Sequence, residues 1–483
     1  MKKAILYIIL LSSTLACKKS WLEIVPMGQR VATNVKDYEL MMNDPAYYMY
    51  SWSGGLQEPM FMGDEIAAEG NYFLNRFASK ERLFRWEDII YPSSDENAPA
   101  ITVHNTQLYN LNKIINEVLE TAGGTPQQKN AIRGEALATR AWSYFNMVNY
   151  YCKPYLAATA DADPGFPIVT KADVNTVGYS RGSLQQSYDF IISDFKEAIK
   201  SLPAKASLAT HMSQPAAEGL LGKVYLFMGR PADALPYLQS ALSQVAANGS
   251  PVLINFNEAL APDGAFQPIN PVTGPRSPGQ DPSDIREAVV SKVWNCGPYV
   301  QYGNSGLVLT PQAAALYDAS DLRLQLYTNL NPDNTPNAAG RLRKYGVQYA
   351  RFGLQLPELY LLSAECKARI GDLTGAVADV ETLRKNRMPA VAATVPADIA
   401  ASQTALIKFI IDERIREFAI EGYRWFDMRR LSVDPLFAGA SYMHTIYNAN
   451  GSTTEYTLSL PNRLVLRFPR NIMDANPDMA NNP

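Results

Sequence analysis

Two segments far apart in the chain share a helix–glycine–helix pattern, and this repeat constrains the fold more than any other feature. Gly229 ends one apolar stretch and is followed by Ala234, and Gly371 ends another and is followed by Ala376 at the same five-residue spacing. An apolar helix, a glycine turn and a second helix with a small residue at its contact point are typical of tetratricopeptide-like units. Generic helical hairpins are the alternative, because spacing alone does not distinguish the two.

Apolar residues recur at steps of three and four over much of the chain after residue 104, which is the period of one helix face. These stretches predict four helix pairs, at about 105–152, 184–245, 355–388 and 403–432. We therefore predict a mainly α fold of four tetratricopeptide-like helix pairs with long loop-rich insertions and a few short strands. Strands are expected at 83–91, 289–294 and 306–309, and the long insertions, with polar loops such as 331–340, are expected to carry function.

The charge balance and the few histidines argue against several classes of function. Lys and Arg number 44 against 47 Asp and Glu, a net charge of −3, whereas a nucleic-acid-binding protein needs a basic excess to displace counterions. The three histidines, His104, His211 and His444, stand far apart and outside any metal-ligand spacing. The chain is therefore predicted to be no enzyme and to use no cofactor or metal, and a secreted hydrolase is the least favoured alternative.

The N-terminus follows the order of a secretory signal peptide, with a basic start at 1–3, an apolar run at 4–11 and mostly small residues up to Cys17. The apolar run is too short to span a membrane, which takes about 20 residues. A cysteine directly after Leu-Ala is typical of a bacterial lipoprotein signal peptidase site, although Thr14 stands where Leu is usual. Residues 1–16 are therefore predicted to be a lipoprotein signal peptide and Cys17 to carry lipid. A plain signal peptide is the alternative.

The remaining cysteines do not form a disulfide framework. If Cys17 carries lipid, three are left, and an odd number leaves at least one free thiol. Cys152 and Cys366 fall within helical patterns and are predicted to be small buried residues.

Three glutamates at four-residue spacing, Glu413, Glu417 and Glu421, line one face of a predicted helix near the C-terminus. A pair of carboxylates can act as acid and base in catalysis. Because no nucleophile or histidine accompanies these glutamates, we favour a structural role. In that role they pair, between packed helices, with the arginines of the same region, Arg414, Arg424 or Arg429.

The same region resembles a known family. From Glu413-Arg414 through Glu417-Phe418 to Glu421-Gly422-Tyr423-Arg424-Trp425-Phe426-Asp427-Met428-Arg429-Arg430, the chain closely resembles the signature of SusD/RagB proteins. Segments 134–145 and 356–365 resemble the first and third repeats of that family, and Trp86 and Tyr109 are also in place. The resemblance spans nearly the whole mature chain.

The resemblance implies a fold, a location and a partner. SusD/RagB proteins are lipoproteins of the outer membrane of Bacteroidota that lie as a lid over a SusC-like TonB-dependent transporter and capture glycans, or in some members peptides. A single SusD-like domain over 17–483 is implied, with a loop-rich part at 17–104, helix pairs at 105–250, a loop-rich insertion at 251–354 and C-terminal helix pairs with a tail at 355–483. Cell-surface exposure is implied as well, although Lys18-Lys19-Ser20-Trp21 stands where exposed members often carry acidic residues.

Capture of a sugar requires aromatic faces that stack on its ring, and amides and charges that bind its hydroxyl groups. Two zones outside the helix pairs supply both kinds of residue, at 64–76 and 294–304, and the resemblance implies that the ligand site is built from them. The predicted ligand contacts are Asn71, Tyr72, Arg76, Trp294, Tyr299, Tyr302 and Asn304. For each aromatic residue ordinary packing is the alternative, and Trp86 is expected in the core.

The predicted function is non-catalytic capture of a nutrient ligand, with an oligosaccharide as the first choice, and its delivery to a SusC-like transporter. A peptide-binding member of the same family and a helical-repeat envelope scaffold without a small ligand are the alternatives. No nucleic-acid partner is expected, and contact with the membrane is expected only through the lipid.

Overall fold

The computed structural model describes residues 32–50, 58–173, 178–281, 283–295, 304–345 and 349–483, and helices dominate these ranges. The helices are α1 (Val35–Met42), α2 (Gly70–Phe73), α3 (Ala78–Phe84), α4 (Pro99–Glu117), α5 (Pro126–Tyr151), α6 (Leu184–Ile199), α7 (Gln214–Phe227), α8 (Pro231–Asn248), α9 (Phe256–Ala259), α10 (Pro311–Ala314), α11 (Leu356–Arg369), α12 (Leu373–Arg384), α13 (Ala397–Ala400), α14 (Gln403–Phe418), α15 (Tyr423–Leu431) and α16 (Arg470–Ala475). The strands are β1 (Met49–Tyr50), β2 (Ile66–Glu69), β3 (Ala288–Val290), β4 (Val293–Asn295), β5 (Leu307–Leu309), β6 (Tyr327–Thr328), β7 (Arg343–Lys344), β8 (Tyr349–Arg351), β9 (Leu354–Gln355), β10 (Met443–Tyr447) and β11 (Thr453–Thr457). The mainly α fold with a few short strands is as predicted.

The helix–glycine–helix repeat is confirmed by backbone geometry. Gly229 lies between α7 and α8 with φ of 70°, and Gly371 lies between α11 and α12 with φ of 93°. Glycine adopts this left-handed region without the steric cost that a Cβ would bring. Ala234 and Ala376 are fully buried, so the small side chains lie at the contact between the paired helices.

Capping residues in the sequence determine where several helices begin. Thr125 caps α5 in a capping box with Gln128, and Ser183 caps α6 in the same way with Gln186. Sequential helices then pack against one another, α4 on α5, α5 on α6 and α6 on α7, and α14 packs on both α11 and α15. Helices are therefore paired within 105–152, 355–388 and 403–432 as predicted, but 184–245 contains three helices, α6, α7 and α8. α4 begins at Pro99, before the start that periodicity indicated.

The strand predicted at 83–91 is wrong. Its first residues end helix α3, and Trp86 has φ of 50°, which breaks any extended run. The core position expected for Trp86 is confirmed, because its side chain is buried and Nε1 donates to the Met62 carbonyl at 3.1 Å. The strands expected at 289–294 and 306–309 are present as β3, β4 and β5.

A four-stranded sheet of order β11–β10–β2–β5 lies among the loop-rich segments. β10 forms an antiparallel hairpin with β11 and pairs in parallel with β2, which places Tyr447 beside Glu69. β2 pairs antiparallel with β5, with Ala68 beside Leu307. This sheet therefore joins the N-terminal part, the insertion and the C-terminal tail in one layer.

The main apolar core draws on residues from Val35 to Met479, and a second core fills the space between α11, α12 and α14. Cys152 and Cys366 are free and buried, as predicted. Within the described ranges, we find no helix with both the length and the apolar character needed to cross a membrane.

Candidate functional site

The first zone predicted to form the ligand site, 64–76, lies beside the described end of the second zone. Strand β2 runs directly into α2, and α2 packs against the turn Asn304–Gly306, where the second zone ends. Gly306 approaches so closely that a Cβ on it would lie 2.8 Å from the backbone nitrogen of Phe73. The backbone around Tyr72 therefore lies beside the end of the 294–304 zone.

The predicted residues of these zones have different surroundings. Asn71 and Arg76 are exposed and Tyr72 is half-buried, so all three can contact a ligand. Trp294 is 0% exposed, with its ring centroid 3.8 Å from that of Phe352. It lies in β4, between β1 and β8, and a side chain without exposed surface cannot contact a ligand. The structure therefore removes Trp294 from the candidate site and places it in the core.

Several other predictions fall outside the described residues. Cys17, Tyr299 and Tyr302 lie there, and so does the side chain of Asn304, whose backbone begins the 304–306 turn. They stay predictions.

Tyr72 is joined to a loop that lies far away in the sequence. Its hydroxyl donates to Asp333 Oδ2 at 2.8 Å. Asp333 Oδ1 accepts from the backbone nitrogen of Thr335 at 3.0 Å and from its hydroxyl at 2.6 Å. The polar loop 331–340 therefore contacts Tyr72, which lies three residues after the end of β2.

A second set of contacts holds the end of that loop. Arg341 donates to Glu69 through Nε at 2.6 Å and Nη2 at 3.1 Å, and Asn337 donates to the same carboxylate at 2.6 Å. The Arg341 guanidinium lies over the ring of Tyr447, 3.7 Å from its centroid. Such stacking and bidentate pairing fix the plane of the guanidinium. We call Tyr72, Asp333, Arg341 and Tyr447 the polar–aromatic surface.

The ionisation of this surface suits it to bind hydroxyl groups. Hydrogen bonds from Thr335 and from Tyr72 lower the pKa of Asp333, so its carboxylate is charged at neutral pH. Burial, and then the bond to Asp333, raise the pKa of Tyr72, which stays a hydroxyl donor. Asp333 is exposed and has acceptor capacity beyond these bonds. A carboxylate acceptor beside tyrosine rings is the combination that sugar recognition requires.

The three C-terminal glutamates have the structural role that was predicted, but with other partners. Glu413 is fully buried and binds Arg323 at 2.7 Å, Arg384 at 2.7 Å and Arg416 at 2.6 Å. Burial alone raises the pKa of Glu413, but the three guanidiniums outweigh it and hold the pKa at about 2. The carboxylate is thus a permanent anion within a cluster of arginines.

Glu417 binds Arg323 at 2.9 Å and Arg387 at 2.8 Å. Of the arginines predicted as partners, Arg414 binds Asp427 and Arg429 donates to the Cys152 carbonyl. The predicted partners are therefore wrong. Glu413 and Glu417 instead bind Arg323 of the insertion, Arg384 and Arg387 at and just beyond the end of α12, and Arg416 of their own helix.

The remaining members of this signature anchor the polar–aromatic surface. Glu421 binds Lys344 at 2.6 Å, three residues beyond Arg341. Arg424 binds Asp64 at 2.5 Å, just before β2 begins. Both segments that form the surface are therefore tied to the α14–α15 region.

The histidines and the other candidate metal ligands do not gather into one metal site within the described chain. In the part of the chain that the structure describes, no three His, Cys, Asp or Glu side chains come together as metal ligands would. Burial lowers the pKa of His104 to about 3 and that of His444 to about 4, so both rings are neutral at pH 7.

Family models and solved structures agree with this architecture. A SusD-like model, described as starch-binding and associating with the outer membrane, matches residues 68–226, and the SusD family model matches residues 301–483. No curated protein matches the chain. Among solved structures, a SusD superfamily protein from Bacteroides thetaiotaomicron is 19% identical with a TM-score of 0.68 over 93% of this chain and 100% of the other.

Two further structures are comparable. A SusD superfamily protein from Bacteroides fragilis is 17% identical with a TM-score of 0.70 over 93% of this chain and 100% of the other. A laminarin-binding SusD-like protein is 16% identical with a TM-score of 0.63 over 94% of this chain and 100% of the other. These likenesses show a shared fold, and the two family models together cover more than half of the chain. The chain belongs to the SusD/RagB family.

Proposed function

We propose that this protein captures an oligosaccharide at the polar–aromatic surface, without cleaving it, and delivers it to a SusC-like TonB-dependent transporter. Lipid on Cys17 would hold it at the outer membrane, on the cell surface. The observation that carries the proposal is the Tyr72–Asp333 pair beside the Arg341–Tyr447 stack, next to the first zone predicted from the sequence.

The geometry favours a flat, hydroxyl-rich ligand. Stacking on an aromatic face stabilises the apolar side of a sugar ring, while fixed charges bind its hydroxyl groups. Tyr72, Asp333 and Arg341 are each held by a second protein group, so little conformational entropy is lost when a ligand binds. Asn71, next to Tyr72 in α2, and Arg76, three residues beyond the end of α2, are exposed polar groups of the same zone.

The same residues suit binding better than hydrolysis. Glycoside hydrolysis commonly needs one carboxyl group with a raised pKa to protonate the leaving group. The pKa of Asp333 is lowered, and Glu69 is occupied by Arg341 and Asn337. This arrangement supports a non-catalytic role.

The comparisons suggest which glycans to test first. The matched family description refers to starch, and one structural relative binds laminarin, so α- and β-glucan oligosaccharides are the first probes. The extent of the main core, from Val35 to Met479, supports the proposed single domain over 17–483.

Calorimetry on protein without residues 1–17 tests the proposal, using maltooligosaccharides, laminarioligosaccharides and a panel of short peptides. We expect saturable binding of an oligosaccharide that Tyr72→Ala and Arg76→Ala each weaken by about tenfold or more. Tyr237, a half-buried tyrosine of α8 that stacks on Tyr225, provides the matched control Tyr237→Ala, which should bind like the wild type.

Chromatography of the ligand after incubation should show unchanged chain length. Binding of peptides instead of glycans would show that the ligand is a peptide and not an oligosaccharide. Normal glycan binding by both Tyr72→Ala and Arg76→Ala would refute the proposed site. Failure to bind either class, together with co-purification of an outer-membrane partner, would favour the scaffold function.

A further inference from the structure

A second concave site lies between helix α1, helix α5 and the segment 202–212, and it shares no residue with the polar–aromatic surface. It is a groove of about 430 Å³. α1 packs against α5, and each helix lines the groove with residues at steps of three and four, which lie on one helix face. The apolar part of the lining includes Met42, Ile132, Leu202, Leu208 and Met212. Since an apolar cavity of about 150 Å³ already takes benzene, the groove has room for a ring with a short chain.

A carboxylate and an imidazole form a pair in the wall of this groove. His211 Nδ1 lies 2.6 Å from Glu135 Oε1, and both residues line the groove. Each of the two side chains keeps 16% of its surface exposed. Their other polar atoms, Glu135 Oε2 and His211 Nε2, are not fully buried and have no hydrogen-bond partner in the described part of the chain. A ligand in the groove can therefore reach both atoms.

The pair is held in place by the elements that carry it. Glu135 lies within α5, the long helix that forms one wall. The segment that carries His211 is fixed by backbone bonds, since the Ala209 carbonyl accepts from the Ser291 nitrogen at 2.6 Å and the Leu208 carbonyl accepts from the His211 nitrogen at 3.1 Å. A preformed pair of this kind loses little conformational entropy when a ligand binds.

The chemistry of the pair selects a ligand that donates hydrogen bonds. In the neutral imidazole, the bond to the carboxylate places the proton on Nδ1 of His211, so Nε2 accepts, and Glu135 Oε2 is an acceptor as well. Among the lining residues, which all belong to the described chain, there is no lysine or arginine. The other carboxylate of the lining, Glu39, is already paired with the exposed Lys36 at 2.9 Å. An ammonium group supplies three donors and a positive charge, whereas an anion would meet carboxylates and no cation.

A buried cation acts on Glu135 without occupying the groove. Lys292 is 2% exposed and lies outside the lining, and its Nζ donates to the Thr210 carbonyl at 3.4 Å. Burial lowers the pKa of Lys292 to about 8, and the charge of Glu135 opposes that shift. Within the described residues, no three His, Cys, Asp or Glu side chains come together as metal ligands would. An organic ammonium group therefore suits the pair better than a metal ion.

We propose that this groove binds an organic ammonium compound, of the class of primary amines that carry an apolar ring or chain. The ammonium group donates to Glu135 Oε2 and His211 Nε2, and the apolar part packs against residues such as Ile132, Leu208 and Met212. This site is independent of the proposed oligosaccharide site. The protein then binds two chemically different ligands at two separate places.

Calorimetry on protein without residues 1–17 tests the proposal by comparing 2-phenylethylamine with 2-phenylethanol, which has the same skeleton but a hydroxyl group in place of the ammonium group. The wild type should bind the amine saturably and about tenfold more tightly than the alcohol, because hydrogen bonds to charged groups are stronger than those between neutral groups. Glu135→Gln keeps an oxygen that accepts from His211 Nδ1 but loses the charge, so this preference should disappear. Glu120→Gln, at an exposed glutamate outside the lining, is the matched control and should keep it.

No binding of 2-phenylethylamine, or equal affinity of the wild type for the two compounds, would overturn the assignment. An unchanged preference in Glu135→Gln would overturn it as well.

Filling the groove gives a second, independent readout. Ala131→Trp, from a half-buried lining position one turn before Glu135, should abolish binding of 2-phenylethylamine. Asn130→Trp, at the exposed neighbouring position outside the lining, is the matched control and should bind normally. If thermal melts show that Ala131→Trp does not fold, Ala206→Trp fills the groove from the opposite wall. Unchanged binding of 2-phenylethylamine by a folded filling variant would refute the groove as the site.

Discussion

The substitution Glu413→Gln tests whether the three glutamates spaced four residues apart near the C-terminus stabilise the fold. Glu413 is fully buried, with Oε1 bound to Arg323 and Oε2 bound to both Arg384 and Arg416. Glutamine keeps the shape, but its amide nitrogen cannot accept from the two guanidiniums that now bind Oε2. Three buried cations then lose their shared counter-charge.

The pKa of Glu413 and the energetics of buried ion pairs both set the stability that Glu413→Gln loses. A pKa held at about 2, against an ordinary value of 4.5, corresponds to about 3 kcal/mol of stability. Breaking a buried ion pair by removing one partner typically costs about 3–5 kcal/mol. We therefore expect the free energy of unfolding to fall by about 3 kcal/mol in Glu413→Gln at pH 7.

Urea denaturation followed by circular dichroism measures this difference. Glu39→Gln is the matched control, because its ion pair with Lys36 at 2.9 Å is exposed and should be worth less than about 1 kcal/mol. Because the pKa of Glu413 is lowered in the folded state, its stabilisation is present above pH 4.5 and is lost as the pH falls towards 2. The difference in the free energy of unfolding between the wild type and Glu413→Gln should therefore decrease at acidic pH.

A difference below about 1 kcal/mol between the free energies of unfolding of the wild type and Glu413→Gln at pH 7 would refute the structural role of Glu413. Normal stability of Glu413→Gln together with loss of glycan binding would refute it as well.

Three further substitutions probe the core, a buried acid and the repeat turn. Trp425 is 0% exposed, so Trp425→Ala should lower the free energy of unfolding by about 3–5 kcal/mol in the same assay, and a smaller loss for Trp425→Phe would locate the effect in ring packing. Burial raises the pKa of Glu58 to about 8, so its contribution to stability is present below pH 4.5 and is lost as the pH rises through 8. Between pH 5 and pH 8 the free energy of unfolding of Glu58→Gln should therefore rise by up to about 4 kcal/mol relative to that of the wild type. If the free energies of unfolding of the two proteins change with pH in parallel, this prediction is contradicted. Gly371→Ala should lower the free energy of unfolding by about 1–2 kcal/mol, because alanine is strained at the positive φ of this position. An unchanged melting temperature would argue against that strain.

Local features of the structure were predictable from the sequence, because neighbouring residues determine them. The turns at Gly229 and Gly371 depend on a glycine at one position and a small residue five places later, and both signals lie within one segment. The capped start of α5 at Thr125 is likewise a local arrangement. Trp86 instead ends α3 in a left-handed conformation, which a pattern of alternating residues does not reveal.

Long-range partners were not predictable, because nothing near a residue in the sequence specifies them. Arg323 reaches Glu413 across 90 positions, and Arg341 reaches Glu69 across 272. The candidate zone around Tyr72 was found from its composition, but Asp333 and Tyr447 joined it only through loop and sheet pairing. Trp294 has the residue type of a sugar-binding platform, and only its place within a sheet shows that it is core.

We propose that an oligosaccharide binds intact at the polar–aromatic surface. A crystal structure of the mature protein with a bound oligosaccharide from the glucan panel tests it most directly. We predict an uncleaved ligand whose ring stacks on Tyr72 or Tyr447 and whose hydroxyl groups bind Asp333 and Arg341. A ligand bound elsewhere on the protein, with these four side chains in contact only with solvent, would contradict the proposed binding site.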